Sequence, residues 1–366
     1  MKNLLIILSL FLFSILDNCL IAQQDIEIER KDFEFVVHEI ENNYSGFAFK
    51  VNNSNIEQYN NLKTKLRDEI AKENRSGIDA AAELVAYFND FHFSLGSSSV
   101  HSSKYMTKKH KDYSRLISDY NPQFVYKKVT PKTFLIRIPN YWHTDENRDF
   151  VIKAVEEFKA SKCEYLIIDE RKNPGGHDGI FHPLVYLLSQ HKGSFYSYKW
   201  LNTKENRDFI DTSWRKDYPS LTERLVDQMK ETEDKYLVLD NDSLYFIDSV
   251  NMSPLPKQTA IIIDNNVASS AEFLVVYLCA CSERFKVYGK ENSLGCLDFA
   301  NSKTMLLPSK RGGINVPISC PIFDNFIDNT GITPDVYIPI DYPTTLTDNI
   351  DTWTIWVAND LENNSK

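Results

Sequence analysis

Apolar residues first recur along the chain at helical spacing. Phe33, Val36, Val37, Ile40 and Tyr44 share one face, and Ile56, Tyr59, Leu62, Leu66 and Ile70 share another, which predicts two amphipathic helices between Asp25 and Lys72. A third helix is expected to open at Ser76, with Asp79 three residues on as its cap partner, and to run through Ala80 to Phe88 before the chain becomes extended. Residues 97–118 are polar and without period, and read as a linker. A helical N-terminal domain is therefore expected over 23–118.

Beyond the linker the period changes. A strand at Phe134–Ile138, a helix carrying Phe150, Val151, Ala154, Val155 and Phe158, and an apolar strand at Tyr165–Ile168 make a βαβ unit. A glycine-bearing loop, a helix around Phe181–Leu188, a strand near 195–200 and a strand at Ala260–Ile263 with a helix after it continue the alternation. This predicts an α/β domain over 119–345. Residues 201–257 are charged and aromatic without a clean period, and are expected to form an insertion over one face of the sheet. Residues 346–366 read as a C-terminal tail. The chain shows no internal repeat and no glycine-rich phosphate loop, so nucleotide chemistry has no support.

The first residues change the picture of where the chain works. Met-Lys-Asn precedes an apolar stretch from Leu4 to Leu16, interrupted only by two serines and followed by Asp17-Asn18. This predicts an export signal over 1–22, with cleavage after Ala22 and a periplasmic or secreted product. As a helix the stretch rises only about 20 Å, short of a hydrocarbon core of roughly 30 Å, so no stable membrane span is expected after cleavage. Cys19 follows Leu-Asp-Asn, where a lipidated cysteine would follow small residues, which argues against a lipoprotein anchor. The remaining cysteines, Cys163, Cys279, Cys281, Cys296 and Cys320, are odd in number and lack close-spaced metal or disulfide pairs. A formal charge of −10 without a basic stripe excludes a nucleic-acid surface.

Four places carry candidate chemistry. Ser269 follows the strand Ala260–Ile263 and the turn Asp264-Asn265-Asn266, and precedes a helix. A serine so placed sits at the positive end of a helix, where nearby main-chain N–H groups can hold an oxyanion. Ser269-x-x-Glu272 equally matches a capping box, in which the two side chains only satisfy the helix end. The loop Asp169-Glu170-Arg171-Lys172-Asn173-Pro174-Gly175-Gly176 exposes main chain, and its paired glycines permit the close approach an oxyanion donor needs, although Pro-Gly-Gly alone is an ordinary turn. In Phe91-His92-Phe93-Ser94-Leu95, alternation sends His92 to the face opposite the apolar residues, where an imidazole is suited to take a serine's proton, although such a histidine taken alone is ordinarily structural. Asp328 lies in a turn-rich stretch where acids commonly cap loops.

Together these pieces resemble the C-terminal processing (tail-specific) serine peptidases and the related tricorn protease core, whose catalytic domain is an α/β fold of the ClpP/crotonase type. LIIDERKNPGG is similar to that family's strand and oxyanion loop and TAIIIDNNVASSAEF to its strand and nucleophile helix. VYGKENSLG is similar to its next strand and GITPDVYIP to its closing segment, with a weaker match at NDFHF. The resemblance covers roughly 133–340. It implies Ser269 as nucleophile, the N–H of Ser270 and of Gly175 or Gly176 as oxyanion donors, a peptide or protein substrate, and no metal or cofactor.

The sequence departs from that pattern at two points. The bacterial processing members carry a lysine just after the counterpart of Gly295, where this chain has Cys296, and recruiting Lys286 or Lys290 would need a shift across Gly289. The tricorn-like branch uses a histidine and an acid, whose counterparts are His92 as base and Asp328 as its orienting partner. That branch has a serine where Phe91 stands here. No peptide-binding PDZ module is evident. The lost lysine also motivates a second expectation, a catalytically inactive binding protein on the same scaffold.

Overall fold

The structure is a computed structural model describing residues 26–107, 121–195, 198–239, 245–247, 253–322, 327–343 and 348–364. The export signal expected over 1–22, Cys19, and residues 108–118 of the expected linker lie outside them. The chain forms two compact units, each assembled from three segments. One comprises Met1–Lys109, Trp200–Leu237 and Phe299–Cys320, and the other His110–Lys199, Val238–Asp298 and Pro321–Lys366.

The second unit is built on a six-stranded sheet. In spatial order its strands are Val336–Tyr337, Phe285–Gly289, Gln258–Ile262, Tyr165–Asp169, Thr133–Arg137 and Val125–Lys128, with only the last pairing antiparallel to its neighbour. The parallel strands are apolar along their length because helices cover both faces. On one face Phe134, Ile136, Leu166, Ile168 and Ile261 meet the helices Asp145–Ser161, His182–Leu188 and Ser270–Cys281. Leu135, Ile167, Ala260 and Ile262 alternate to the other face and meet Trp353, Val357, Ala358 and Leu361 of the helix Thr352–Asn364.

That last helix replaces the tail expected over 346–366. Its start is fixed by charge: Asp351 caps it by accepting the Thr354 N–H at 3.0 Å, and the same carboxylate binds Arg137 at 2.9 Å and Arg171 at 2.8 Å. Both arginines also bind Asp169, at 2.7 and 2.6 Å, and all four side chains are fully buried. Two cations and two anions cancel, and the two guanidiniums hold the Asp169 carboxyl well below the usual carboxylate range against its burial.

The first unit is not the contiguous helical domain expected over 23–118. Helices over 26–38, Ile56–Ala71 and Gly77–Ala86 do form where periodicity predicts, the last with Ser76 Oγ accepting the Asp79 N–H at 3.2 Å. They are joined by an antiparallel strand pairing of Ser94–Ser97 with Gly312–Pro321, more than two hundred residues away. The segment expected as an insertion over the sheet contributes the helices Lys204–Ser213 and Pro219–Glu231 to this unit. Its apolar residues Ile210, Leu225, Val226 and Met229 are buried, and Asn206 Nδ2 donates to the carbonyl of Asn43 at 3.2 Å. Among the described residues no helix is long and apolar enough to cross a membrane.

Candidate active site

Two adjacent parallel strands of the second unit, Tyr165–Asp169 and Gln258–Ile262, end in register, with Asp169 beside Ile262. The loops leaving their carboxyl ends must therefore meet, which is where open α/β sheets place their sites. One loop carries Asn173, Gly175 and Gly176, and the other ends at Ser269. Asp264 ties them, accepting the N–H of Lys172 at 3.2 Å and of Asn266 at 2.9 Å, while Tyr342 donates to its second oxygen at 2.6 Å. Burial pushes the Asp264 carboxyl up, against these donors.

Ser269 stands at φ 53° and ψ −123°, ahead of the helix Ser270–Cys281. An N-cap residue normally takes the extended region. A left-handed φ on a serine costs of order 1–3 kcal/mol and persists only where the surroundings enforce it. The capping box is present, with Ser269 N–H given to Glu272 Oε2 at 3.1 Å, but it is part of a larger device. The same N–H lies 3.0 Å from the carbonyl of Cys296, and the N–H of Ala268 donates to the carbonyl of Asn173 at 3.1 Å.

Glu272 organises the ground behind the serine. Fully buried, it accepts from Ser269 and from Cys296 N–H at 2.8 Å on one oxygen, and from Gly295 N–H at 2.7 Å and the Ser293 hydroxyl on the other. Burial raises its carboxyl above the ordinary glutamate value and these four donors pull it back. Cys296, which stands where the processing peptidases have lysine, thus serves through its N–H and its carbonyl, a task independent of its side chain. Lys290 directs its ammonium to the Ile340 carbonyl and to Asp341 at 3.1 Å.

The glycine loop approaches closely. A Cβ on Gly175, at φ 93°, would stand 2.7 Å from Ser269 Cβ and 2.8 Å from the Ser270 nitrogen. One on Gly176, at φ 141°, would stand 2.2 Å from the Tyr141 carbonyl oxygen. Gly175 N–H is given to Asn173 Oδ1 at 2.9 Å, whereas the N–H groups of Gly176 and Ser270 find no acceptor among the described residues. Ser270 Oγ donates to the Gly176 carbonyl at 2.9 Å, which latches the loop to the start of the helix.

Behind this loop Glu170 is fully buried, accepts from the Tyr141 hydroxyl, and has a second oxygen without a partner among the described residues. Burial chiefly, with Asp169 and Glu272 adding repulsion against the Tyr141 bond, pushes its carboxyl up to about 8.

Asp328 belongs to this unit. Its N–H donates to Asp298 Oδ2 at 2.5 Å, its carboxylate accepts from Asn329 Nδ2 at 2.9 Å, and the next N–H, of Asn329, donates to the Gly295 carbonyl at 2.9 Å. The Asp328 turn therefore buttresses the loop that bears Cys296.

His92 belongs to the first unit, in a bend just before the strand Ser94–Ser97 rather than within a strand. Phe93 and Leu95 are buried as the alternation predicts. Its Nδ1 lies 2.6 Å from the carbonyl oxygen of Phe299. A carbonyl only accepts, so Nδ1 carries the proton and, in the neutral ring, Nε2 holds the lone pair. His177, immediately after Gly176, has the opposite arrangement. Its Nδ1 accepts the Gly179 N–H at 3.1 Å, so its neutral ring is protonated on Nε2, and burial holds its pKa below the usual histidine value. Tautomer thus distinguishes His92 as a ring able to accept a proton at Nε2.

Asn173, Glu272 and Phe299 were missed as functional residues by sequence reasoning. Glu272 was visible only as a cap, Asn173 only as one residue of the glycine-bearing loop, and Phe299 acts through a main-chain atom that no side chain announces.

None of the curated proteins matches the chain. Among solved structures, a peptidase of Parabacteroides merdae matches with a TM-score of 0.55 at 15% identity, covering 86% of this chain and 90% of that one. Mature CPAF matches with a TM-score of 0.59 at 12% identity over 86% and 93% of the two chains, and its complex with lactacystin with 0.57 at 14% identity over 86% and 94%. At such identities these likenesses speak for the fold. The sequence pattern of peptidase family S41 matches residues 132–338, more than half of the chain and the whole stretch from the Thr133 strand through the glycine loop and Ser269 to the closing strand: the chain belongs to peptidase family S41, a family of serine peptidases.

Proposed function

We propose that this protein is an exported endopeptidase that cleaves peptide bonds through an acyl-enzyme on Ser269, using a crotonase-like catalytic domain without a PDZ module. The observation that carries the reading is the left-handed main chain of Ser269, held by Glu272, Cys296 and the glycine loop, which a serine acting only as a cap does not require. Ser269 Oγ attacks the scissile carbonyl. His92 Nε2 takes its proton and returns it to the leaving amine, and the Ser270 and Gly176 N–H groups receive the oxyanion. In this reading the Phe299 carbonyl accepts His92 Nδ1–H and orients the ring, and Asp328, expected as the orienting acid, supports the Cys296 loop. The N-terminal signal directs the product to the periplasm or the outside.

The test is labelling by a fluorophosphonate and hydrolysis of unfolded casein by wild type, Ser269→Ala and His92→Ala. Ser269→Ala is expected to lose labelling, and both variants to lose several orders of magnitude in rate while remaining folded. The second reading, an inactive binding protein, rests on Cys296 in place of lysine. A folded wild type that neither labels nor cleaves would establish it.

A further inference from the structure

His92 lies on main chain that the sheet does not hold. Residues 91–93 form bends, and the ladder with the strand Gly312–Pro321 begins only at Ser94. A ring borne on such a segment needs another source of direction, and the structure supplies one from behind. Asp90 is 2% exposed, and its Oδ1 accepts the N–H of His92 at 2.9 Å and of Phe93 at 3.3 Å, the turn in which an aspartate closes on its own following main chain. Its Oδ2 accepts the hydroxyl of Tyr44, itself buried, at 2.7 Å.

Tyr44 is gripped in turn. Its ring stacks on Phe93 at 4.4 Å with 27° between planes, and lies 5.9 Å from the ring of Phe299, whose carbonyl receives His92 Nδ1–H. At the other end of His92, Ser302 Oγ donates to its carbonyl at 3.3 Å. The carboxylate of Asp90 thus fixes the main chain of the imidazole, and Tyr44 links that carboxylate to the residue that sets the tautomer.

We infer that Asp90, anchored by Tyr44, is a positioning residue for the His92 base. It holds the His92 main chain so that Nδ1–H meets the Phe299 carbonyl and Nε2 is left as the proton acceptor. The inference rests on the proposed role of His92 and adds to it the device that orients the ring. A buried carboxylate matched to three donors also explains why an acid stands two residues before the histidine in Asn89-Asp90-Phe91-His92.

The experiment uses the full chain and reads the rate constant of fluorophosphonate labelling per folded molecule across pH 5–9. Asp90→Ala is expected to slow labelling about 100-fold, the size of a misplaced general base, and to displace the acid limb of the profile. Asp90→Asn, which keeps an acceptor for the two N–H groups, is expected to recover most of the rate. A purely structural Asp90 would lower the melting temperature and the labelled fraction while leaving the per-molecule profile where it was, and that result would overturn the inference. Should Asp90→Ala not fold, Tyr44→Phe, which deletes one hydroxyl, decides by the same profile. An unmoved profile rejects Asp90, and a displaced acid limb supports it. His92→Ala separates the two levels: full labelling by that variant removes the base assignment itself, whereas its loss with an unaltered Asp90→Ala profile removes only the positioning role.

Discussion

Glu272 accepts the main-chain N–H of Ser269 at 3.1 Å while the same carboxylate gathers the N–H groups of Gly295 and Cys296 and the hydroxyl of Ser293. All four partners donate, so the position demands an acceptor at both oxygens. Glu272→Gln turns an amide NH2 toward two of them. The expected outcome is a loss of about 2–4 kcal/mol in urea unfolding, from two charge-assisted bonds replaced by unpaired or opposed donors, together with slowed labelling of Ser269. A variant with unchanged midpoint and labelling rate would show that Glu272 only fills space.

The strain at Ser269 gives a prediction of opposite sign for stability. At φ 53° and ψ −123° a serine is held in a conformation that glycine adopts at no steric cost. Ser269→Gly is expected to stabilise the fold by roughly 1 kcal/mol, the relief of strain less the added freedom of the unfolded chain, while abolishing labelling. Thermal unfolding of Ser269→Gly beside Ser269→Ala checks it, since alanine removes the hydroxyl and keeps the strain. Equal melting temperatures would mean the main chain at 269 is relaxed.

The second unit was legible because its signals are local. Apolar runs at Phe134–Ile138, Tyr165–Ile168 and Ala260–Ile263 correspond to parallel strands buried on both faces, and the helix between the first two shows its period plainly. The first unit was not, because Ser94–Ser97 pairs with residues around 312–315 and the helices of 204–231 close on residues near Asn43. No local period encodes a partner at that separation. The helix Thr352–Asn364 read as a tail because its burial depends on Asp351 meeting Arg137 and Arg171, three charges that in sequence suggest solvent. At the site, Ser269 and the two glycines were marked by their place after strands, but the sign of φ at a serine and the orienting carbonyl of Phe299 leave no trace in residue type.

That buried charge cluster is itself testable. Asp351 is shared by two guanidiniums and caps the final helix. Asp351→Ala leaves two buried cations sharing Asp169 and removes the cap, for an expected loss of about 3–5 kcal/mol. Thermal unfolding measures the loss, and limited proteolysis is expected to release the segment 352–364 first. A melting temperature within two or three degrees of wild type would mean that water reaches the arginines.

Glu170 sets how stability responds to pH. Its carboxyl is raised from 4.5 to about 8 in the folded chain, where burial and the neighbouring Asp169 and Glu272 outweigh the single Tyr141 donor. Between those two values the folded protein keeps a proton that the unfolded chain has released. Stability contributed by this group is therefore complete below pH ~4.5, falls by about 1.4 kcal/mol per unit as pH rises, and levels off above about 8. Glu272 and Asp264 are displaced in the same direction and add to the trend. Glu170→Gln removes one titrating group at constant shape, with its own amide cost independent of pH. The difference in urea midpoint between the variant and wild type is accordingly expected to shift in the variant's favour from pH 5 to pH 8. A difference constant across that range would place the Glu170 proton elsewhere, and with it the reason for the unpartnered oxygen behind the glycine loop.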